Sequence, residues 1–178
     1  MASNFPSTRD LPSRLGKAML IAAWVVGLAL LALFFQEFLA QRHNPNRGAE
    51  LRVDAAGVPS VVLQRNRMGH YVASGEVNGA PVTFLLDTGA TTVALPLALA
   101  QRLHLPLRPG VSTTTANGVV RTWSTHLDSV GIGGLTAHAV RAVVLPNMPG
   151  DDVLLGMSYL KRFELIQRGD TLTLRAAD

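Results

Sequence analysis

The stretch that decides the fold is residues 84–92, which read FLLDTGATT. Three large apolar residues in a row predict a buried strand, and the acid Asp87 follows that strand directly. Thr88 has a hydroxyl that can fix a loop, and Gly89 permits close approach of a second chain or a ligand. Asp and Gly are also common in ordinary β-turns, so these residues alone leave a simple turn as an equal alternative.

Short strands and turn signals surround this stretch from residue 60 to residue 178. Asn78-Gly79 predicts a two-residue hairpin, because a type I′ turn needs positive φ at both positions. Apolar residues repeat at helical spacing after Pro96, which predicts one short helix, and residues 157–163 predict another. The pattern indicates an all-β domain, closed or sandwich-like, with one or two short helices.

A second apolar motif lies downstream, at Val153-Leu154-Leu155-Gly156. It predicts a short buried strand that ends at a glycine and leads into the helix at 157–163. Between this motif and Asp87, a Thr- and Val-rich segment predicts a hairpin around Asn117-Gly118. The order along the chain is therefore an acidic loop, a hairpin and a hydrophobic-Gly motif.

The two spaced motifs resemble those of a known family. Residues 86–90, LDTGA, resemble the active-site loop of retropepsin-like aspartic proteases, and residues 153–156 resemble that family's second hallmark. The resemblance covers roughly residues 61–175 and is greatest to the bacterial membrane-anchored members. It implies a retropepsin-like closed β-barrel lobe and an aspartic-type endopeptidase that hydrolyses peptide bonds.

The resemblance also implies roles for individual residues. Asp87 matches the catalytic carboxylate, and Thr88 matches the residue whose hydroxyl bonds across a dimer. Gly89 and Ala90 match residues that support the loop. Asn117 and Gly118 match the flap above the substrate, and Leu155 and Gly156 match residues that pack behind the loop. Viral members have an Asp shortly after the Ala, where this chain has Thr91 and Thr92.

A count of carboxylates predicts a homodimer. Hydrolysis by this route needs two facing Asp groups that share one proton, because like charges about 3 Å apart do not both ionise. This chain has one Asp-Thr-Gly, and no Thr/Ser-Gly follows Asp128, Asp151, Asp152 or Asp170. We therefore expect Asp87 of each copy to meet on a two-fold axis, with the polypeptide substrate bound as an extended strand.

The N-terminal region predicts a membrane anchor. Residues 18–35 are uncharged, and a helix of this length rises about 27 Å, close to the ~30 Å core of a bilayer. The alternative is a cleaved signal peptide, although no clear Ala-x-Ala site follows. Arg9, Arg14 and Lys17 precede the span and favour a cytoplasmic N-terminus.

These features divide the chain into four predicted parts. They are a cytoplasmic tail (1–17), a transmembrane helix (18–36), a flexible linker (37–59) and the protease domain (60–178). If the anchor is retained, the protein is a single-pass protein of the bacterial inner membrane, and its catalytic domain is periplasmic.

Composition bears on partners and cofactors. The net charge is +4, but the charges are scattered and form no stripe for phosphates, so we expect no nucleic-acid partner. Cysteine is absent from the sequence, which excludes disulfides, and the spacing of the five histidines matches no zinc signature. We expect neither a metal nor another cofactor.

Two further hypotheses stay open at this point. The domain could be a catalytically inactive module that binds peptides or assembles a complex at the membrane, since Thr91 and Thr92 replace the viral acid. The chain could also cut itself within residues 41–59, which are tethered close to the site.

Overall fold

The apolar N-terminal segment forms one long helix, α1 (Asp10–His43). Within the part of the chain that the structure describes, Leu15–His43 is the one segment long and apolar enough to cross a membrane by length and composition. A signal sequence near an N-terminus has the same properties. The helix extends beyond the predicted span of 18–36 and ends just before Asn44-Pro45, because the residue that precedes a proline is disfavoured in the helical conformation.

The structure is a computed structural model that describes residues 10–54, 57–115 and 118–177, with the backbone alone for 10–14, 113–115 and 118. The chain divides into two compact units, Met1–Gln41 and Arg42–Asp178. The second unit holds two short helices, α2 (Leu97–Arg102) and α3 (Met157–Leu160). Its strands are β1 (Arg52–Val53), β2 (Pro59–Gln64), β3 (Tyr71–Val77), β4 (Ala80–Leu86), β5 (Val93–Pro96), β6 (Arg108–Thr115), β7 (Gly118–Ile132), β8 (Leu135–Leu145), β9 (Val153–Leu155), β10 (Phe163–Arg168) and β11 (Thr171–Ala176).

Seven strands form the larger sheet, in the order β3-β4-β9-β5-β8-β7-β6. The prediction of an all-β domain with one or two short helices is confirmed. The sheet curves back on itself, because β3 also pairs with β7 through Glu76–Gly131 and Val77–Val130. This seam has only two residue pairs, so the predicted closed barrel is only partly closed.

The smaller sheet has four strands, in the order β1-β2-β11-β10, and all of its pairings are antiparallel. Its apolar side chains and those of the larger sheet share one core, in which Leu63, Phe84, Leu127, Tyr159 and Leu174 are fully buried. Burial of this apolar surface is the main term that stabilises a domain without disulfides.

Two asparagines that follow α1 form hydrogen bonds with strands of the β domain. Asn46 donates from Nδ2 to the carbonyl oxygens of Gln64 (2.9 Å) and Val72 (2.7 Å), and its Oδ1 accepts from the Gln64 amide (2.6 Å). Asn44 donates from Nδ2 to Ser74 Oγ (3.0 Å). Gln64 ends β2 and Val72 lies in β3, so one side chain joins the two sheets.

A third asparagine completes this set. Asn66 donates from Nδ2 to the carbonyl oxygen of His43 at 3.0 Å, and the His43 ring lies 2.8 Å from an oxygen of Asp152. We call Asn44, Asn46 and Asn66 the asparagine clasp. Here the structure differs from the flexible linker predicted for 37–59, because its first residues continue α1 and the clasp holds the next ones against the sheets.

Loss of the Asn46 side chain should destabilise the β domain. Asn46→Ala leaves buried partners on β2 and β3 unsatisfied, and we expect a loss of about 3 kcal/mol in the free energy of unfolding. Urea unfolding of the full chain in detergent, followed by tryptophan fluorescence, measures this loss. Glu50→Ala, at an exposed position a few residues away, is the control and should change stability by less than about 0.5 kcal/mol. An equal effect of both substitutions would contradict the role given to Asn46.

Candidate active site

Asp87 sits at the end of a strand that is fixed on both sides. Its predecessor Leu86 pairs with Tyr71 in β3 and with Leu155 in β9, the latter in a parallel register. The Asp87 amide then donates to the Leu155 carbonyl at 3.2 Å. Phe84 is fully buried, whereas Asp87 is half-buried, so the buried strand brings this carboxylate to the surface.

The loop that follows is folded around the Asp87 side chain. The Gly89 amide donates to Asp87 Oδ1 at 2.8 Å, and the Ala90 amide donates to the Asp87 carbonyl oxygen at 3.2 Å. These bonds fix the orientation of the carboxylate. Thr88 and Gly89 are exposed, so this side of the loop is open to a second chain or a ligand.

Gly156 supports the loop from behind. A Cβ built on Gly156 would lie 2.7 Å from the carbonyl oxygen of Ala90 and closer still to that of Thr92. The next amide, that of Met157, donates to the Ala90 carbonyl at 2.8 Å. The structure therefore brings the acidic loop and the hydrophobic-Gly motif together, with the fully buried Leu155 beside them.

Ser158 is a site residue that sequence reasoning did not find. Its Oγ donates to the Arg141 carbonyl in β8 at 2.8 Å and accepts from the Val93 amide at 2.9 Å. Val93 begins β5, the strand into which the loop runs, so this serine fixes the far end of the loop. A serine one residue into a short helix carries no motif that would have marked it.

The helix that carries Ser158 is itself fixed by Tyr159. This side chain is fully buried, and its hydroxyl donates to the Leu135 carbonyl at 2.8 Å. Burial raises the pKa of Tyr159 above its ordinary value, so the hydroxyl keeps its proton and remains a donor. The ring also packs on Phe163, with the centroids 4.9 Å apart.

A cavity of about 240 Å³ adjoins Asp87 and Thr88. Apolar residues from several elements line it, among them Leu86 in β4, Leu160 in α3 and Leu165 in β10. Two larger cavities, of about 430 and 330 Å³, lie at the other end of β4, around Pro81. The smaller one is the candidate site, because it combines the loop carboxylate with apolar walls.

The predicted flap lies on the hairpin of β6 and β7. Gly118 is the first residue of β7 and pairs with Thr115, whereas Asn117 lies outside the described residues. At the base of the hairpin the register shifts between Pro109 and Ser112, and Thr122 Oγ1 donates to the Val111 carbonyl at 2.8 Å. In the described ranges, no three His, Cys, Asp or Glu residues come together that would hold a metal ion.

Gly156→Ala should disturb the loop. The added methyl overlaps two carbonyl oxygens of the loop, and relief of this overlap must shift either Gly156 or residues 90–92. We expect a loss of about 2 kcal/mol in the free energy of unfolding, measured by urea denaturation of the full chain in detergent. Gly48→Ala is the matched control, because its added Cβ meets nothing within 4 Å. A loss in the control as large as that in Gly156→Ala would contradict this explanation.

Comparisons with known proteins agree with this geometry. A family described as "gag-polyprotein putative aspartyl protease" matches residues 73–162, which include the Asp87 loop and Gly156. A crystal structure of a retropepsin-like aspartic protease from Rickettsia conorii is similar with a TM-score of 0.60 and 30% identity, over 71% of this chain and 96% of that chain.

Two relatives are similar in sequence. One, from Sinorhizobium sp, is the "Uncharacterized protein in cobV 5'region", which is 33% identical over 168 residues, or 87% of this chain and 72% of the relative. The other is "Uncharacterized protein RP867" from Rickettsia prowazekii (strain Madrid E), 36% identical over 110 residues, or 60% of this chain. The match spans 47%, about half, of the length of that second relative. On the shared motifs, their geometry and these matches together, the chain belongs to the retropepsin-like aspartic protease family.

Proposed function

We propose that the protein is a membrane-anchored aspartic endopeptidase that uses two Asp87 carboxylates, one from each copy in a homodimer. The observation that carries the proposal is the setting of Asp87. Its loop is held from behind by Leu155, Gly156 and Met157, while Thr88 is open to solvent. Membership of the family supports aspartic protease chemistry at this loop.

The chemistry follows from two carboxylates that share one proton. The ionised carboxylate takes a proton from a water molecule while the oxygen of that water attacks the peptide carbonyl carbon. The protonated carboxyl group donates its proton to the departing nitrogen. The C–N bond breaks, and an acid and an amine leave. The Gly89 amide donates a hydrogen bond to Asp87 Oδ1, and this hydrogen bond holds the carboxylate in place before the substrate binds.

The surface around Asp87 supports the homodimer. Leu86 and Leu165 are half-buried in a single chain and line the cavity next to Thr88. A second copy that packs against Thr88 and the edge of this cavity would bury apolar surface and bring the two loops together on a two-fold axis. In this arrangement the Thr88 hydroxyls bond across the interface.

The hairpin of β6 and β7 is the proposed cover for an extended polypeptide substrate. Val111 and Val119 are 76% and 74% exposed there, and exposed apolar side chains on a flap suit contact with a peptide. Asn117 and Gly118 are the proposed tip. The peptide binds as an added strand, with main-chain hydrogen bonds that do not depend on its sequence.

The helix α1 is the proposed anchor in the bacterial inner membrane. Its length and apolar composition support a single span. Arg9, Arg14 and Lys17 support a cytoplasmic N-terminus, which makes the catalytic unit periplasmic.

Asp87→Asn tests the catalytic proposal. The amide keeps the size of the side chain but does not take up the proton of the water, so we expect the rate of peptide cleavage to fall at least about 100-fold. The full chain in detergent is assayed against a peptide library by mass spectrometry. Asp128→Asn makes the same chemical change on the exposed face of β7 and should leave the rate unchanged. Cleavage by Asp87→Asn at the wild-type rate would remove Asp87 from the mechanism.

The second candidate is a catalytically inactive module that binds peptides or assembles a complex at the membrane. Thr91 and Thr92, where viral members have an acid, favour it. The same assay separates the two candidates, because a module binds library peptides but leaves them intact in both the wild type and Asp87→Asn.

Thr88→Val tests the homodimer. Loss of a hydroxyl that bonds across the interface should raise the dissociation constant of the dimer about tenfold, since 1.4 kcal/mol corresponds to a factor of ten. Specific activity measured against protein concentration reports this change as a shift of the midpoint to higher concentration. Thr91→Val, an exposed threonine in the same loop, is the control and should not shift it. Activity per chain that is independent of concentration for every variant, down to high dilution, would argue for a monomeric site.

A further inference from the structure

Few residues lie between the apolar run and the first contacts of the β domain. α1 continues to His43, and the hydrogen bonds of the β domain begin at the His43 carbonyl and at Asn44. Asn44 and Asn46 are already buried, at 5% and 6% exposure, and the asparagine clasp fixes both. The chain therefore enters the β domain within a few residues of the end of α1.

The clasp changes how far the catalytic unit can stand from a bilayer. A flexible linker over 37–59 would have a root-mean-square length of about 25 Å and would reach nearly 80 Å when extended. Instead, residues 36–43 continue the helix after Phe35, the last residue of the apolar run. From Phe35 to Asn44 a helix rises about 14 Å, which is about twice the depth of one headgroup region.

The size of the β unit sets the remaining distance. A folded unit of this length has a radius of gyration of about 14 Å, and hence a diameter of about 40 Å. Every point of it, the Asp87 loop included, then lies within about 50 Å of the hydrocarbon boundary in any orientation. An active site that stays within this distance of the membrane encounters polypeptides anchored in the same membrane at a high effective concentration.

We propose that this short tether makes the enzyme selective for the membrane-proximal part of its substrates. The substrates are polypeptides anchored in the same membrane, and the peptide bond that is cut lies within about 50 Å of the bilayer. The proposal rests on the proposed function, since it needs both the anchor and the protease. It adds a rule of distance to whatever side-chain preference the site has.

Two anchored reporters test this rule with the full chain in lipid vesicles. Each reporter has one apolar span, a rigid helical spacer and a cleavage sequence chosen beforehand from a peptide library cut by the detergent-solubilised full chain. The spacers have about 10 and about 60 residues, and so hold the cleavage sequence about 15 and about 90 Å from the bilayer. We expect the wild type to cut the near reporter at least about tenfold faster than the far one, because the far sequence lies beyond its reach.

Two insertion variants identify the tether as the cause. A flexible Gly/Ser segment of about 60 residues between Gln41 and Arg42 leaves the clasp intact and adds about 45 Å of reach, so the near-to-far ratio should fall below about threefold. The same segment placed after Asp178 is the matched control and should keep the ratio of the wild type. Free library peptide in detergent should be cut equally by all three chains.

The outcomes distinguish the two proposals. If the free peptide is cut but the wild type cuts both reporters at equal rates, the distance rule is overturned and the protease stands. An unchanged ratio in the variant with the longer tether overturns the rule as well. If the free peptide is not cut, or is cut equally by Asp87→Asn, the proposed function fails and the distance rule fails with it.

Discussion

The site depends on contact between two backbone segments that have no room for a side chain between them. Gly156 lies against the carbonyl oxygens of Ala90 and Thr92, and the flanking bonds from Asp87 N to Leu155 O and from Met157 N to Ala90 O complete the contact. The parallel pairing of β4 with β9 brings the two segments together at matching positions. The orientation of Asp87 is thus set by peptide groups, which are more rigid than side chains.

In the proposed homodimer, this arrangement means that each chain supplies one half of the reaction centre. The carboxylate is oriented by its own loop, yet the open side of that loop and its apolar neighbour Leu86 face solvent in a single copy. Rigid support behind the loop and an open surface in front suit a site that is completed by a second copy. Under the proposed function, assembly of the homodimer would control activity, because the second carboxylate comes from the other copy.

The parts predicted from the sequence are those in which the local pattern and the tertiary structure agree. The apolar run before Asp87 and the run that ends at Gly156 are short and hydrophobic, and both are strands in the core. Residues 43–48 lie within the predicted linker, 37–59, and that prediction rests on turn formers such as Asn, Pro and Gly. Its structure is decided instead by hydrogen bonds from Asn44 and Asn46 to strands far along the chain, which no local pattern reveals. The sequence does not mark Ser158 for the same reason, because both of its partners are backbone groups of distant strands.

The asparagine clasp has a second consequence, for chain boundaries. β3 pairs with β7 only at Glu76 and Val77, and Arg65 bridges Tyr71, so the middle of β3 would be bare on one edge without the bridge from Asn46 to Ala73. A bare strand edge is a template for pairing with other molecules and for aggregation. A fragment cut at the sequence-derived boundary, residue 60, would lack this cover and tend to self-associate through β3. A fragment that begins at Arg42 would keep the edge protected and remain soluble.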